Sequence, residues 1–340
     1  MSTSQPSHGP ETLMKMMQGA QVTAFITAAV DLGVFAAVAK GARTAQQIAG
    51  AIKAPVRSTE VLLDGLAVVG LLAKKAGAYE NAPLADEHLV PGKPMYMGDV
   101  TGIFGSAMMW TGYQHLTEAI RNDGTVMPEH AETPKHPFWE AFARSSASMA
   151  FPTAQSMIGM LSDWIAKKPT LRALDIAAGS GIYGLSLAKL PNVDVTLLDW
   201  PNVLVESKNW AERLGADTSR VHYIEGNLFE VDYRGPYDLA VLSHVYHHFD
   251  DATCLSLTKK VAAALAPGGR VAINDFLYDE SLANPMAAMF RTTMLMWTRK
   301  GTTYTEADYR RWLGEAGLSV VEVKASAGMP STIVVAEKRA

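Results

Sequence analysis

Residues 171–184 constrain the fold of this chain more than any other stretch. An apolar run, 171–176, turns through Ala177-Ala178-Gly179-Ser180-Gly181 and continues with Leu185, Leu187, Ala188 and Leu190 up to Pro191. Strand, small-residue turn and helix open a nucleotide-binding βαβ unit. Small side chains there let backbone N–H groups approach a ligand at the helix N-terminus. The order is Asp-x-Ala-x-Gly-x-Gly, not the dinucleotide Gly-x-Gly-x-x-Gly. A second apolar run, 193–198, ends in Asp199, about 20 residues past the turn, where a carboxylate can accept from ribose hydroxyls. Asp175 would repel a pyrophosphate but not a cationic amino-acid ligand, which favours S-adenosylmethionine (SAM) over NAD. An ordinary βα turn of some other α/β protein is the competing reading.

From Pro169 onward strands and helices alternate, the signature of a parallel doubly wound sheet. Strands are expected at 171–176, 195–198, 221–225, 238–242, 271–275, 319–324 and 331–337. A helix over 252–265 is capped by Asp250 and Asp251 and stopped by Pro267-Gly268-Gly269. The fold class is therefore α/β: a Rossmann-like, seven-stranded catalytic domain over 166–340.

Ahead of it the pattern is helical. Val22, Phe25, Ile26, Ala29, Val30 and Leu32 recur at helical spacing within 11–40, one long helix or two. Thr44-Ala45-Gln46-Gln47 has the form of a capping box. Ser58 is placed to cap a helix running to Gly70, and 71–75 with 78–82 form a hairpin around Ala76-Gly77. Helices followed by a hairpin make a winged-helix layout over 1–100. A winged helix can read DNA, but the helix after Ser58 carries Glu60 and Asp64 and little besides Arg57 to meet phosphates. Its face suits packing against a second chain, so a homodimer is expected and nucleic acid is not. Residues 101–165 read as connecting helices that roof a substrate pocket, with a helix over 100–115, a polar surface excursion over 116–137 and helix again over 138–161. Met108, Trp110 and Met149 are the pocket candidates there.

The bulk numbers agree. A chain of 340 residues, 48% hydrophobic and 19% charged, can bury a large core and suits about two domains. A net charge of −4 argues against nucleic-acid binding. The lone Cys254 excludes an intrachain disulfide framework and fits a reducing compartment. The polar first residues lack a targeting pattern, and Asp64 interrupts the best apolar run, so a soluble cytoplasmic protein with no membrane partner is expected.

In open α/β sheets ligands bind at the carboxyl ends of the strands. Four such ends supply Asp175, Ala177, Gly179 and Gly181; Asp199 and Trp200; Asn227 and Leu228; and Ser243 through Asp251. Asn227 can meet an adenine edge or be a plain turn residue, with Leu228 or Trp200 over the ring. His244, His247 and His248 form the densest titratable group. A metal site, a backbone-bonded structural role and a general base compete. No carboxylate from a nearby helix and no convergence of His244 with His247 is expected, so no metal is assigned. A base needs an orienting acid, and Asp275 at the fifth strand end could reach His247 or the ligand. Met286, Met289 and Phe290 lie on one face of a helix over 281–299, a pocket for a flat hydrophobic substrate or plain core.

These motifs resemble the class I SAM-dependent O-methyltransferases of the caffeate and acetylserotonin type, over nearly the whole chain. His247-His248-Phe249-Asp250-Asp251 is similar to the family's His-Asp-Trp-Ser-Asp, which makes His247 the base. The segment 174–181 matches the SAM loop, with alanine for its first two glycines. Asp199-Trp200-Pro201-Asn202-Val203 resembles the ribose segment, and Gly226-Asn227-Leu228-Phe229 resembles Gly-Asp-Met-Phe. The resemblance implies an N-terminal dimerisation domain, SAM as cofactor, a small aromatic or polyketide-like substrate, and methyl transfer to a hydroxyl. It departs at two kinds of position. The family's paired glutamates appear as Asp275 and Thr303, and its lysine four places before the base is Ser243. Methylation at carbon, and a winged-helix regulator using the Rossmann-like domain as a SAM sensor, are the alternatives.

Overall fold

The computed structural model describes residues 9–326 and 329–339. The chain separates into two compact units, residues up to 109 and residues from 110 onward.

The first unit begins with three helices, Pro10–Met17, Gly19–Leu32 and Val34–Ala39, where one or two are expected. Gly33, at φ 75°, ends the second in the left-handed conformation that glycine adopts freely. The Thr44 capping box forms: the Thr44 hydroxyl accepts from the Gln47 N–H at 3.3 Å, and Gln47 returns an acceptor to the Thr44 N–H at 3.1 Å. The next helix, Val56–Val68, starts two residues before Ser58. Pro55 supplies the extended cap position, and the Ser58 hydroxyl only donates back to the Pro55 carbonyl. Strands β1 (Leu72–Lys75) and β2 (Ala78–Asn81) form the expected antiparallel hairpin. Asp64 fastens it to the helix, accepting from Lys74 Nζ and from the Tyr79 hydroxyl, each at 2.7 Å. Val34, Phe35, Ile48, Leu63 and Leu66 form the core. Helix Pro10–Met17 buries no side chain, and Leu13, Met14, Met16 and Met17 are all exposed. The helix expected over 100–115 is broken into Thr101–Phe104 and Ala107–Gln114. Gly105 sits so close to Thr27 that a side chain there would collide.

The second unit is a seven-stranded sheet of β3 (Leu171–Ile176), β4 (Val193–Asp199), β5 (Val221–Glu225), β6 (Tyr237–Ser243), β7 (Leu265–Asp275), β8 (Leu318–Ala325) and β9 (Thr332–Lys338), in the order β5-β4-β3-β6-β7-β9-β8. β3 to β7 are parallel; β9 runs antiparallel to both β7 and β8. The chain winds outward from β3 to β5, then returns to β6 on the other side. The switch point, and with it the ligand crevice, lies at the carboxyl ends of β3 and β6. β7 begins earlier than expected because Pro267-Gly268-Gly269 is carried within it as an irregularity, with the register shifting between Tyr237 and Leu239. Asp250 caps helix Asp251–Ala264, accepting from the Thr253 N–H at 2.8 Å.

Helices cover both sheet faces. One core layer joins Met157, Leu161 and Ile165 of helix Ala147–Ala166 to Leu185 and Leu187 of helix Ile182–Ala188. The other joins Leu257 and Val261 to Tyr309, Trp312 and Leu313 of helix Glu306–Glu315. Residues 116–137 lie mostly at the surface, as expected, but are tied down at two points. After helix Leu116–Asn122, the Thr125 and Ala131 N–H groups donate to the Thr298 and Trp297 carbonyls, both at 2.9 Å, and His130 and Ala131 are buried. These backbone bonds tie the segment to the end of helix Pro285–Trp297 and the loop after it. The helix expected over 138–161 restarts at Ser146, giving Phe138–Ser145 and Ala147–Ala166, and that expected over 281–299 shortens to Pro285–Trp297. Among the described residues no helix is long and apolar enough to cross a membrane.

Candidate active site

The turn after β3 winds through left-handed backbone at Ala177 (φ 54°), Gly179 (φ 56°) and Gly181 (φ 75°). A left-handed alanine is strained, so the fold holds this shape against a local preference. Asp199 Oδ2 accepts the Gly179 N–H at 2.8 Å and Oδ1 accepts the Trp200 N–H at 2.7 Å. One carboxylate thus ties the first two strand ends together, and each oxygen keeps a lone pair for a ligand hydroxyl. Burial pushes Asp199 up to about 6, against the pull of those two N–H groups. Asp175 is placed differently from the expectation of a ligand-facing acid. It is buried, accepts the Gly184 N–H at 2.8 Å, and is pushed up by burial to about 8. It fastens strand to helix behind the turn. A side chain at Gly184 would collide with Leu197 and Val195, so this glycine sets how closely helix and sheet approach.

Such a turn fits SAM. Space is open beside Gly179, the turn is free of bulky side chains, and the Asp199 carboxyl, raised by burial, would be relieved by hydroxyl donors. Asn227 departs from the adenine-reading expectation. Its amide donates to Glu230 Oε1 at 2.9 Å and its oxygen accepts the Phe229 N–H at 3.0 Å, so both ends serve its own turn. Leu228 and Trp200 are half-buried beside these loops.

Beyond β6 and β7 lies a cluster of side chains. His247, 2% exposed, meets Asp275, 0% exposed, through Nδ1 and Oδ1 at 2.5 Å. Oδ1 also accepts the Phe276 N–H at 2.8 Å, and Oδ2 accepts the Tyr309 hydroxyl at 2.9 Å. Burial pushes the Asp275 carboxyl up, but His247 and His244 beside it more than offset this and hold it well below the usual carboxylate range. An ionised Asp275 keeps the His247 proton on Nδ1 and leaves Nε2 as the acceptor. Burial pushes His248 down to about 3, and its Nδ1 lies 3.2 Å from the Val245 carbonyl, the backbone-bonded role.

His244 and His247 do converge, against expectation. With Asp275 they offer three donor atoms within 4.8 Å of one another, the carboxylate coming from a strand end, not a helix. The 2.5 Å contact of His247 with Asp275 is a hydrogen bond; two ligands on one zinc at bonds of about 2 Å sit roughly 3.3 Å apart.

Asn274 joins the cluster to the cofactor side. Its side chain lies 3.1 Å from the Ser243 hydroxyl, 3.0 Å from His244 Nε2 and 3.3 Å from the Tyr183 hydroxyl. Phe290 packs edge-on to His247 with ring centroids 4.8 Å apart, and Trp139 and Trp297 lie 5.3 and 6.2 Å from His248. Of the expected pocket residues, Phe290 thus meets the base candidate. Met149 and Trp110 are half-buried in the second unit and Met108 is half-buried in the first. Met286 and Met289, 46% and 70% exposed, stand on the solvent side of their helix and are not core. Tyr309, Asn274, Tyr183 and Trp139 escape the sequence reading, whereas Trp297 shares the helix face read for Phe290. Of those four, only Tyr309 left a trace, in the aromatic spacing Tyr304, Tyr309, Trp312 around the Thr305 cap.

The family model of the O-methyltransferase domain matches residues 113–319, and that of the O-methyltransferase dimerisation domain matches residues 14–91. The 3-hydroxy-5-methyl-1-naphthoate 3-O-methyltransferase of Streptomyces sahachiroi is 29% identical over 97% of this chain and 96% of its own. The acetylserotonin O-methyltransferase of Mus musculus is 27% identical over 93% of this chain and 85% of its own. A solved Nostoc punctiforme structure assigned to the O-methyltransferases superposes with a TM-score of 0.90 at 32% identity, covering 98% of this chain and all of that one. The chain belongs to the SAM-dependent O-methyltransferase family, with a dimerisation domain followed by the O-methyltransferase domain.

Proposed function

We propose that this enzyme methylates a phenolic hydroxyl of a small aromatic or polyketide-like molecule, with His247 as general base oriented by Asp275. The buried His247–Asp275 hydrogen bond at 2.5 Å carries this reading. SAM, when bound, supplies an activated methyl group on a sulfonium. Asp199, with the backbone of Gly179 and Trp200, holds the cofactor side. Asp275 keeps the imidazole in the tautomer whose Nε2 accepts the hydroxyl proton. The imidazolium formed then lies against an ionised carboxylate. Phe276, Phe290 and Trp139 form an apolar wall against His244, His247 and His248 respectively. A flat aromatic acceptor suits that wall, and two relatives named for such substrates, the naphthoate enzyme and a tetracenomycin polyketide 8-O-methyltransferase of Streptomyces glaucescens, support the class. The first unit, with its exposed Leu13, Met14, Met16 and Met17, joins two copies into a homodimer.

The test offers the enzyme SAM with hydroxynaphthoates and hydroxyindoles beside their deoxy analogues, and reads the products by mass and NMR. An O-methyl ether from the hydroxy compounds alone is expected. Methyl attached to ring carbon, or equal reaction of the deoxy analogues, would overturn the reading.

A further inference from the structure

Asp275 is the hub of the acceptor side, and its two oxygens are held unequally. Oδ1 takes two groups, His247 Nδ1 from the loop after β6 and the N–H of the adjacent Phe276. Oδ2 is held by a partner from a distant element, the Tyr309 hydroxyl at 2.9 Å. Tyr309 is 1% exposed, and its ring is fixed by Tyr246 and Trp312 at centroid distances of 5.5 and 5.2 Å. Packing would be met equally well by phenylalanine, and burying a hydroxyl without a partner is costly. The hydroxyl therefore has a directional role. Thr303, where the resemblance expects a second glutamate, is also buried, but its hydroxyl donates to the Ala287 carbonyl at 3.1 Å and pins helix Pro285–Trp297. It contributes no charge near the base.

We propose that Tyr309 is a positioning residue for the reaction: its hydroxyl, donated to Oδ2 of Asp275, holds the carboxylate in the orientation that presents Oδ1 to His247 Nδ1. A single aspartate steadied by a phenol then does what two carboxylates would otherwise share. A second effect follows from the same contact. The positive end of the O–H dipole points at Asp275 and tempers its attraction for a protonated His247, so the base is released neutral for the next cycle. The other titratable groups facing the pair are His244 and His248 from the loop after β6, Tyr246 from the same loop, and Cys254 from helix Asp251–Ala264. The inference rests on His247 being the base.

The first readout needs no acceptor substrate. Downfield proton NMR of the enzyme saturated with S-adenosylhomocysteine reads the His247 Nδ1–H directly, and His247→Ala assigns the resonance. In Tyr309→Phe, which keeps the ring, the resonance should persist, and the pH at which it is half-shifted should rise by about half to one unit, the effect of one hydrogen bond to a carboxylate. The acid limb of the rate profile on 3-hydroxy-2-naphthoate should move the same way, with SAM affinity unchanged. In an Asp275→Asn background, Tyr309→Phe should have no further effect on rate. An unmoved or lowered half-shift, or a Tyr309→Phe effect that persists in full without Asp275, would overturn the inference. A wild-type transfer rate in His247→Ala would instead overturn the base assignment, whatever the NMR shows.

Discussion

In the loops after β3 and β4, each defining contact runs from a side-chain oxygen to the backbone. Asp175 accepts from Gly184, Asp199 from Gly179 and Trp200, and the Ser207 hydroxyl donates to the Gly179 carbonyl. After β6 and β7 most of the contacts run between side chains, His247 to Asp275, Tyr309 to Asp275, and Asn274 to Ser243, His244 and Tyr183, with the Phe276 N–H a backbone exception. Backbone N–H groups exist in any sequence, so the cofactor side needs only a few small residues and two acids. Side-chain partners must each be specified, so the acceptor side draws on four separate segments. The first arrangement conserves a shape, and the second adjusts how tightly a proton is held. Mutations in the two regions should therefore fail differently.

The largest expected effect separates them outright. A phenol with an unperturbed pKa near 10 is roughly one part in a thousand ionised at neutral pH. Removing the base in His247→Ala should lower the single-turnover methyl-transfer rate by on the order of 10²–10⁴, with SAM affinity by calorimetry nearly unchanged. More acidic phenols should recover part of the loss. Asp199→Ala is the mirror image. It should cost about 1–3 kcal/mol of SAM affinity, as for a lost charged acceptor, while the rate at saturating SAM falls little. If His247→Ala weakens SAM as much as Asp199→Ala does, the two regions are one coupled unit and the contrast fails.

The same contrast explains what could be read in the sequence. Residues 171–199 are contiguous, and their message lies in small residues and two acids at fixed spacing, so Asp199 was legible as an acceptor at the second strand end, though not as the tie between the two strand ends. The parallel strands were legible because apolar runs alternate with helical spacing. The contacts of Asp275 with Tyr309, 34 positions away, and of Asn274 with Tyr183, 91 positions away, are set by how helices return across the sheet. No local pattern encodes them. The segment around His130 misled in part, for a related reason. Polar residues that bond to another loop look the same in sequence as polar residues facing water. Asp175 misled because an acid at a strand end reads as ligand-facing, and only its bond to Gly184, nine residues further on, reveals that it is turned inward.

A smaller effect sharpens the cofactor side. Burial raises Asp199 to about 6 in the folded protein. Hydroxyl donors from a bound ribose favour the ionised carboxylate, so binding lowers that value. By linkage, SAM affinity should be full above about pH 7 and fall by up to about tenfold per unit as pH drops below 6. In Asp199→Asn the slope should vanish, leaving a weaker, flat profile between pH 5 and 7. A slope that survives the substitution would assign the proton to another group, with Asp175 the first to examine.

The smallest expected effect concerns the one side chain that strains the cofactor turn. Ala177 stands at φ 54°, beside Gly179 and Gly181 at φ 56° and 75°. The left-handed conformation disfavours an L side chain by about 1 kcal/mol, whereas glycine adopts it freely but loses more chain entropy on folding. The two terms oppose each other and nearly cancel. Ala177→Gly should therefore raise stability by only about 0.5 kcal/mol, or roughly 1 °C in Tm for a domain of this size. SAM affinity should stay within about twofold, because the turn is already held in shape by Asp199 and Ser207. The outcome tests whether the cofactor side is shaped by backbone alone. A marked loss of stability or of SAM affinity would show that the Ala177 methyl makes a contact the turn depends on, and that this half of the crevice, like the other, relies on a specified side chain.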